Sequence, residues 1–343
     1  TLRDLQFRRR QFAIAVVGTA FAFALALVLT GMSAGFRHEA RNTVDAIGAG
    51  AWVVPKGVKG PFTSESTMPA ALTRQIMGGG QAEPMVDFGG VVKLPAGDEV
   101  NVNVIGHSIG ALGDPIWGRP GTPVPSGETV VDERLGADQG DTITVASRRL
   151  RVVREISDRT YFAGQPTIFV SLAEGQAIAF GGKPLATAFV TRGVPTQIPP
   201  GFQVVSNNSV REDLLRPLDG AVGSIDITRL LTWLLAVVVI GAVTYLSALE
   251  RLRDFAVLKA VGGSTRRVML SLAAQAVLAS LLAAVLGALV AQVLAPNFPL
   301  PVVIEPAAYV LLGVIAVLVG VLASLAAMRR AIKVDPALAF SGG

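Results

Sequence analysis

Four long runs without a charged residue constrain this chain more than any other feature. No Asp, Glu, Lys, Arg or His occurs in residues 12–32, 230–249, 268–294 or 307–328. Each run is long enough for a helix to cross the hydrocarbon core of a bilayer, which is roughly 30 Å thick. The chain is 51% hydrophobic, and its mean hydropathy of +0.54 is too apolar for an ordinary soluble enzyme. We therefore predict an α-helical membrane protein with four transmembrane helices.

The chain between the first two runs has a different pattern. Short β-type segments alternate with Gly and Pro, which is typical of an α+β domain. Helices are predicted at residues 70–77 and 172–180, and Ser171 and Glu174 are placed to form a capping box at the second. Segments with helical spacing flank the domain and are predicted to be stalks. The predicted strands are residues 52–54, 91–94, 100–105, 129–131, 142–145, 150–156, 167–170, 188–191 and 203–205.

Basic residues are concentrated on one side of this predicted topology. The N-terminus, the segment between the second and third runs and the C-terminal tail together hold twelve Lys or Arg and four Asp or Glu. Their net charge is +8, whereas the rest of the chain has −3 and the whole chain +5. Lys and Arg favour the cytoplasmic side of a membrane, so both termini are predicted to be cytoplasmic in a multi-pass protein of the plasma or inner membrane. A nucleic-acid-binding module would instead place its excess charge on the large domain, so no nucleic acid is expected as a partner.

The topology divides the chain into nine segments. The predicted transmembrane helices are residues 12–35, 226–249, 268–294 and 307–328. The predicted cytoplasmic segments are residues 1–11, 250–267 and 329–343. One extracytoplasmic α+β domain with stalk helices is predicted between helices 1 and 2, at residues 36–225, and a short extracytoplasmic loop at 295–306. The first run is longer than the apolar core of a signal peptide, about 7–15 residues, so we expect it to be retained as a membrane anchor.

The segment after the second run is short, charged and amphipathic. Residues 249–268 read LERLRDFAVLKAVGGSTRRV, with Leu252, Phe255, Leu258 and Val261 at three-residue spacing. This spacing gives a short helix one apolar stripe, and the two glycines that follow end it. Such a helix suits contact with a partner at the membrane face. A basic loop that lies on lipid headgroups is the alternative interpretation of the same residues.

This segment is also where the chain resembles a known family. The run ERLRDFAVLKAVGG at residues 250–263 is similar to the signature of FtsX-like or MacB-like ABC transporter permeases, with Asp254 where Glu is commoner. Residues 127–153 resemble the family's extracytoplasmic pattern, and residues 329–338 resemble its C-terminal pattern, with Ala337 in place of an acidic residue. The resemblance covers nearly the whole chain, which has the size of DevC-like permeases.

The resemblance implies the permease subunit of an ABC complex. In such a complex this chain forms a dimer with two copies of a separate ATPase, whose motion is transmitted to the extracytoplasmic domain for export or mechanotransmission. ATP and Mg²⁺ are bound by the ATPase, so no cofactor is expected in this chain, and a substrate or partner is expected outside the membrane. The residues expected to contact the ATPase are Glu250, Arg251, Arg253, Phe255, Leu258, Lys259 and Gly262, with Arg329 and Arg330 as lesser candidates.

Two functions from other classes remain open. One is a conventional small-solute permease, for example for an amino acid such as glutamine. Its path between the helices would be lined by Thr244, Tyr245, Gln275 and Gln292. The other is a non-transporting regulator of a cell-wall hydrolase. Ion-coupled transport is disfavoured, because the ionisable residues that usually mark ion pathways are absent from the four runs.

Small residues at four-residue spacing predict close packing between membrane helices or between subunits. Alanine-rich runs produce such ridges by chance about as often as by selection, so spacing alone does not decide. The positions expected to form helix contacts are Gly18, Ala22, Ala283, Gly287 and Gly320.

The sequence contains no complete catalytic motif. Residues 106–110 read GHSIG and match a nucleophile elbow, but the general-base histidine that should follow is missing, since the two histidines are His38 and His107. Gly181-Gly182-Lys183 lacks the upstream Gly and the following Ser or Thr of a phosphate-binding loop, so no ATP hydrolysis is expected from this chain. Two distant histidines and no cysteine predict no metal site.

Overall fold

The computed structural model describes residues 9–64, 66–108, 126–250, 265–298 and 300–332. The chain divides into two compact units. The helical unit comprises Thr1–Gly35 and Gly220–Gly343, and the sheet unit comprises Phe36–Asp219. A sheet-rich domain is therefore inserted between the first and second long apolar helices, as the sequence predicts.

Six α-helices occur among the described residues. They are α1 (Arg9–Ala46), α2 (Leu172–Phe180), α3 (Asn207–Leu215), α4 (Asp219–Glu250), α5 (Thr265–Leu294) and α6 (Pro306–Ile332). The helices α1, α4, α5 and α6 contain segments that are long and apolar enough to cross a membrane. Pro306 begins α6, where a missing backbone N–H costs nothing because the first turn has no intrahelical acceptor for it.

Twelve strands form the described part of the sheet unit. Ten of them belong to one sheet, and β2 and β10 form a separate pair. The strands are β1 (Ala51–Pro55), β2 (Met68–Pro69), β3 (Glu83–Lys93), β4 (Glu99–His107), β5 (Glu128–Asp132), β6 (Thr142–Val145), β7 (Arg148–Ile156), β8 (Thr160–Tyr161), β9 (Gln165–Ser171), β10 (Leu185–Ala186), β11 (Ala188–Thr191) and β12 (Phe202–Val205).

Six strands of the large sheet close into a ring. The pairing runs from β3 to β4, β9, β5, β7 and β6, and β6 pairs again with β3 where Val92 lies opposite Val145. Closure leaves the ring without an unpaired edge at this point. Buried aliphatic side chains from these strands, including Ile143, Leu150 and Ile168, pack together as one cluster.

The remaining strands extend the sheet from the first half of β3. There β11 pairs with β3 at Met85, and β1 and β12 follow in order. The ring uses the other half of β3, with Gly89 and Gly90 between the two pairings. Glycine inside a strand suits a bend at such a corner. One strand thus belongs to both parts of the sheet.

Several predicted elements match the structure closely. The strands at residues 142–145 and 188–191 coincide with β6 and β11, and the helix at 172–180 coincides with α2. The capping prediction at α2 holds in part, because the Ser171 hydroxyl accepts a hydrogen bond from the Glu174 backbone N–H at 3.3 Å.

Two predicted elements were wrong in extent or type. The strand predicted at residues 91–94 is the end of the longer β3, whose earlier part is obscured by Pro84, Asp87 and the two glycines at its centre. The helix predicted at residues 70–77 is a 3₁₀ helix, Ala70–Gln75. The two-residue strands β2, β8 and β10 were not predicted, since a run that short has no readable alternation.

Candidate functional site

Most residues predicted to contact an ATPase lie outside the described residues. Residues 251–264 include Arg251, Arg253, Phe255, Leu258, Lys259 and Gly262. Glu250 is the last residue of α4, and Arg329 and Arg330 lie near the end of α6. The contact with an ATPase therefore remains a prediction from the sequence.

Two of the predicted packing glycines lie against neighbouring helices. A Cβ built on Gly320 would be 2.6 Å from Cα of Val277 in α5, and one built on Gly287 would be 2.7 Å from the backbone oxygen of Ala20 in α1. These distances are too short for any side chain. Ala22 and Ala283 are buried. Gly18 differs, because it is exposed and an added Cβ would have no atom within 4 Å, so it makes no close contact among the described helices.

One residue of the alternative solute path, Gln292, lines a cavity among the described helices. The cavity has a volume of about 290 Å³ and lies between α5 and α6, where Nε2 of Gln292 lies 3.3 Å from the hydroxyl of Tyr309. The residues that line this cavity do not include Thr244, Tyr245 or Gln275.

The chain enters and leaves the sheet unit through one packed region. Residues 36–46 form the end of α1, and α3 precedes the exit. We call the cluster formed by these two segments and the adjoining strands the stalk junction. Its buried residues include Ala40, Val44 and Ile47 from the entry, Val210 and Leu214 from α3, and Trp52 and Val54 from β1.

Polar contacts fix the two segments of the stalk junction to each other. The Nδ2 of Asn207 donates to the Ala49 carbonyl at 2.8 Å, while its Oδ1 accepts from Nε1 of the buried Trp52 at 2.7 Å. Arg211 of α3 forms an ion pair with Asp45 of α1. Asn207 thus meets both the entering chain and β1 with one side chain.

Glu39 connects α1 to the turn between β8 and β9. Its two carboxylate oxygens accept hydrogen bonds from the backbone N–H groups of Ala163 at 2.8 Å and Gly164 at 2.9 Å. Phe162 and Ala163 have φ of 46° and 66°, values that non-glycine residues adopt at a cost. Glu39 is buried, so its carboxylate stabilises a strained turn away from solvent.

Asp213 connects α3 to the loop after β1. Its carboxylate accepts from the Thr63 hydroxyl at 2.5 Å and lies 3.0 Å from the Arg216 guanidinium. A Cβ on Gly60 would be 2.6 Å from Oδ2 of Asp213, so only glycine fits that part of the loop. The loop is therefore held directly by a residue of the exiting chain.

The described residues offer no support for the hydrolase motif or for a metal centre. His107 is buried at the end of β4, with its ring 6.5 Å from that of Phe169, and Ile109 and Gly110 lie outside the described residues. No group of three or more His, Cys, Asp or Glu able to hold a metal occurs in the described part of the chain.

The polar residues of the stalk junction were missed in the sequence. Glu39 had a signal, because it lies on the helical stripe of Phe36 and Ala40 where a charge is unexpected. Asn207 and Asp213 had none, since nothing local distinguishes them from surface residues. Their partners are about 150 residues away in the chain.

Comparison with known proteins identifies relatives of the whole chain. Residues 228–336 match the family described as FtsX-like permease C-terminal. Two proteins of Mycobacterium tuberculosis (strain H37Rv), each named an uncharacterized ABC transporter permease, are 41% and 40% identical over 99% of this chain and 98% of their own length. The periplasmic region of MacB from Actinobacillus actinomycetemcomitans aligns with 48% of this chain and 93% of its own, at 10% identity and a TM-score of 0.32, which is too low to bear on the fold.

Proposed function

The chain belongs to the FtsX-like ABC transporter permeases, and on this basis we propose that it transmits the motion of a separate ATP-binding subunit to its sheet unit. A permease of this family works with an ATP-binding subunit and is a multi-pass membrane protein. The proposal adds a dimer of this chain with two such subunits. Both termini lie in the cytoplasm and the sheet unit lies outside, acting in export or mechanotransmission.

The stalk junction is the observation that supports this proposal most directly. The entering and exiting chain segments share one buried cluster and are tied by the Arg211–Asp45 ion pair. Closely packed interiors transmit displacement because they have little free volume. A shift of either segment therefore acts on the same cluster, which includes side chains of β1, β3 and β11.

Residues 250–263 are proposed as the contact with the ATP-binding subunit. Phe255 and Leu258 would be buried in a groove of the partner, and Lys259 would lie at the rim. A helix resting on lipid headgroups would use the same residues without a central anchor. The two arrangements differ in how much the loss of a single aromatic side chain costs.

The test compares Phe255→Ala with Lys259→Ala in the complex with the ATP-binding subunit. Truncation of a central buried aromatic typically costs about 2–4 kcal/mol, a loss in affinity of roughly 30- to 700-fold. Exchange of a rim charge costs about 0–1 kcal/mol. We expect Phe255→Ala to abolish both assembly with the ATP-binding subunit and stimulation of ATP hydrolysis, although the variant still inserts normally into the membrane. Lys259→Ala should keep both assembly and stimulation. Equal behaviour of the two variants would refute the contact.

Three controls separate this function from the alternatives. The purified chain alone should hydrolyse no ATP. Stimulation of the complex by one amino acid would favour a small-solute permease, and co-purification of a cell-wall hydrolase would favour a regulator. Orientation is checked with single cysteines at Ser126 and Ser264, since an impermeant reagent should label only Ser126→Cys in intact cells.

A further inference from the structure

The sheet unit contains a cavity of about 430 Å³ that none of the functions above uses. It lies between β3, α2 and the loop that follows β1. The rings of Phe62, Phe88 and Phe180 line it and are each half-buried. Asp87 and Thr187 also line it, and both residues are buried. The volume is within the range of small-molecule sites, roughly 300–1,000 Å³.

Asp87 has one oxygen occupied within the protein. Its Oδ1 accepts from Nδ2 of Asn103 at 2.9 Å, and its backbone N–H donates to the Thr187 hydroxyl at 2.9 Å. Among the described residues that line the cavity there is no Lys, Arg or His. A buried carboxylate without a cation is costly, so this group keeps its proton unless a bound cation takes the place of the proton.

The pKa of Asp87 is consistent with a carboxyl group that keeps its proton until a cation binds. Burial is the main cause that raises the pKa of Asp87 to about 8, and the nearby carboxylate of Asp213 adds to the shift, while the hydrogen bond from Asn103 opposes it. Burial also raises the pKa of Tyr161, so this phenol stays neutral. At neutral pH Asp87 is mostly protonated, and an adjacent cation would displace its proton.

We propose that this cavity binds a small organic ammonium ion with an apolar body. Aromatic faces attract a desolvated cation through their quadrupoles, and a carboxylate in the same cavity supplies the opposite charge. The three phenylalanine rings accommodate the apolar part. An anion of the same shape is excluded, because the lining offers it no basic group. The evidence for binding does not rest on the proposed ATP coupling, since all the lining residues belong to the sheet unit.

The test titrates three ligands of matched shape into the purified full-length chain by isothermal calorimetry. They are 4-phenylbutylamine, 4-phenylbutanol and 4-phenylbutyrate, which carry a positive, a neutral and a negative end group. We expect the amine to bind at least tenfold more tightly than the alcohol, and the carboxylate not to bind. Repeating the amine titration near neutral pH in buffers of different ionisation enthalpy should show release of protons as Asp87 ionises.

Variants link the binding to the cavity. Asp87→Asn should weaken amine binding at least tenfold and abolish proton release, with little effect on the alcohol. Asp138→Asn removes an exposed carboxylate of the same unit and should change neither amine binding nor proton release. Phe180→Ala should weaken the binding of both the amine and the alcohol. This variant tests the location of the site if Asp87→Asn does not fold. The proposal is overturned if the wild-type chain binds the alcohol as tightly as the amine, or if amine binding releases no proton.

Discussion

Removal of the Glu39 side chain tests whether the stalk junction holds the strained β8–β9 turn. In Glu39→Ala the backbone N–H groups of Ala163 and Gly164 lose their acceptors. The positive φ of Phe162 and Ala163 would then no longer be stabilised by these two hydrogen bonds. We expect the turn to open locally while the rest of the sheet stays folded.

The size of the effect follows from these contacts. A hydrogen bond to a charged acceptor contributes about 1.5–3 kcal/mol, so two give an upper limit of about 6 kcal/mol. Removal of a buried carboxylate recovers part of its desolvation cost, and we expect a net loss of about 2–4 kcal/mol. By the relation between free energy and population, opening then becomes roughly 30- to 700-fold more frequent.

Hydrogen–deuterium exchange of residues 160–165 in the full-length chain measures this directly. Glu212→Ala removes an exposed carboxylate from α3 of the same unit and is the matched control. Ala163→Gly should restore part of the protection in the Glu39→Ala background, because glycine adopts positive φ without the cost of about 1–2 kcal/mol that alanine has. In the complex, a non-hydrolysable ATP analogue should alter exchange of this segment in the wild type but not in Glu39→Ala. Exchange in Glu39→Ala equal to that in Glu212→Ala would refute the role of the carboxylate.

Two further predictions concern helix packing and pH. Gly320→Ala should lower the thermal midpoint in detergent by the equivalent of about 1–3 kcal/mol, because the added Cβ meets the Val277 backbone. Gly313→Ala on the same helix is the control and should leave the midpoint unchanged, since its added Cβ has nothing within 4 Å. Equal midpoints for the two variants would contradict the packing. Asp87 has an ordinary pKa of 3.8 that burial raises to about 8. Its contribution to stability is therefore complete below about pH 4 and is lost as pH rises to 8, so Asp87→Asn should flatten this part of the thermal stability profile.

The helical unit was predictable because its signal is local. An uncharged run of membrane length specifies a helix by itself, and α5 ends at Leu294 as its run does. The stripe of Phe36, Ala40, Val44 and Ile47 was also readable as a helical face, and all four residues are buried. What the stripe packs against could not be read, because Val210 and Leu214 lie more than 150 residues later.

The closed ring was not predictable for the same reason. Its closing pair joins Val92 in β3 to Val145 in β6, and no local pattern relates these two residues. The pairing of β5 with β7 shifts register so that Thr129 lies opposite Val152 and Val130 opposite Arg154, which leaves Val153 as a bulge. The extra residue becomes clear only once the partner strand is known.

The stalk junction and the ammonium cavity share residues, and this connects the two proposals physically. Phe62 lines the cavity and also packs against the junction cluster. Its neighbour Thr63 lines the cavity and is held by Asp213 of α3. Asp87 lies on β3 two residues after Met85, which is buried in the junction. A ligand that orders the Phe62–Thr63 wall therefore acts on the exiting chain segment. Coupling free energy is reciprocal. If the amine changes the affinity of the complex for ATP through this segment, ATP must change the affinity of the cavity for the amine by the same factor.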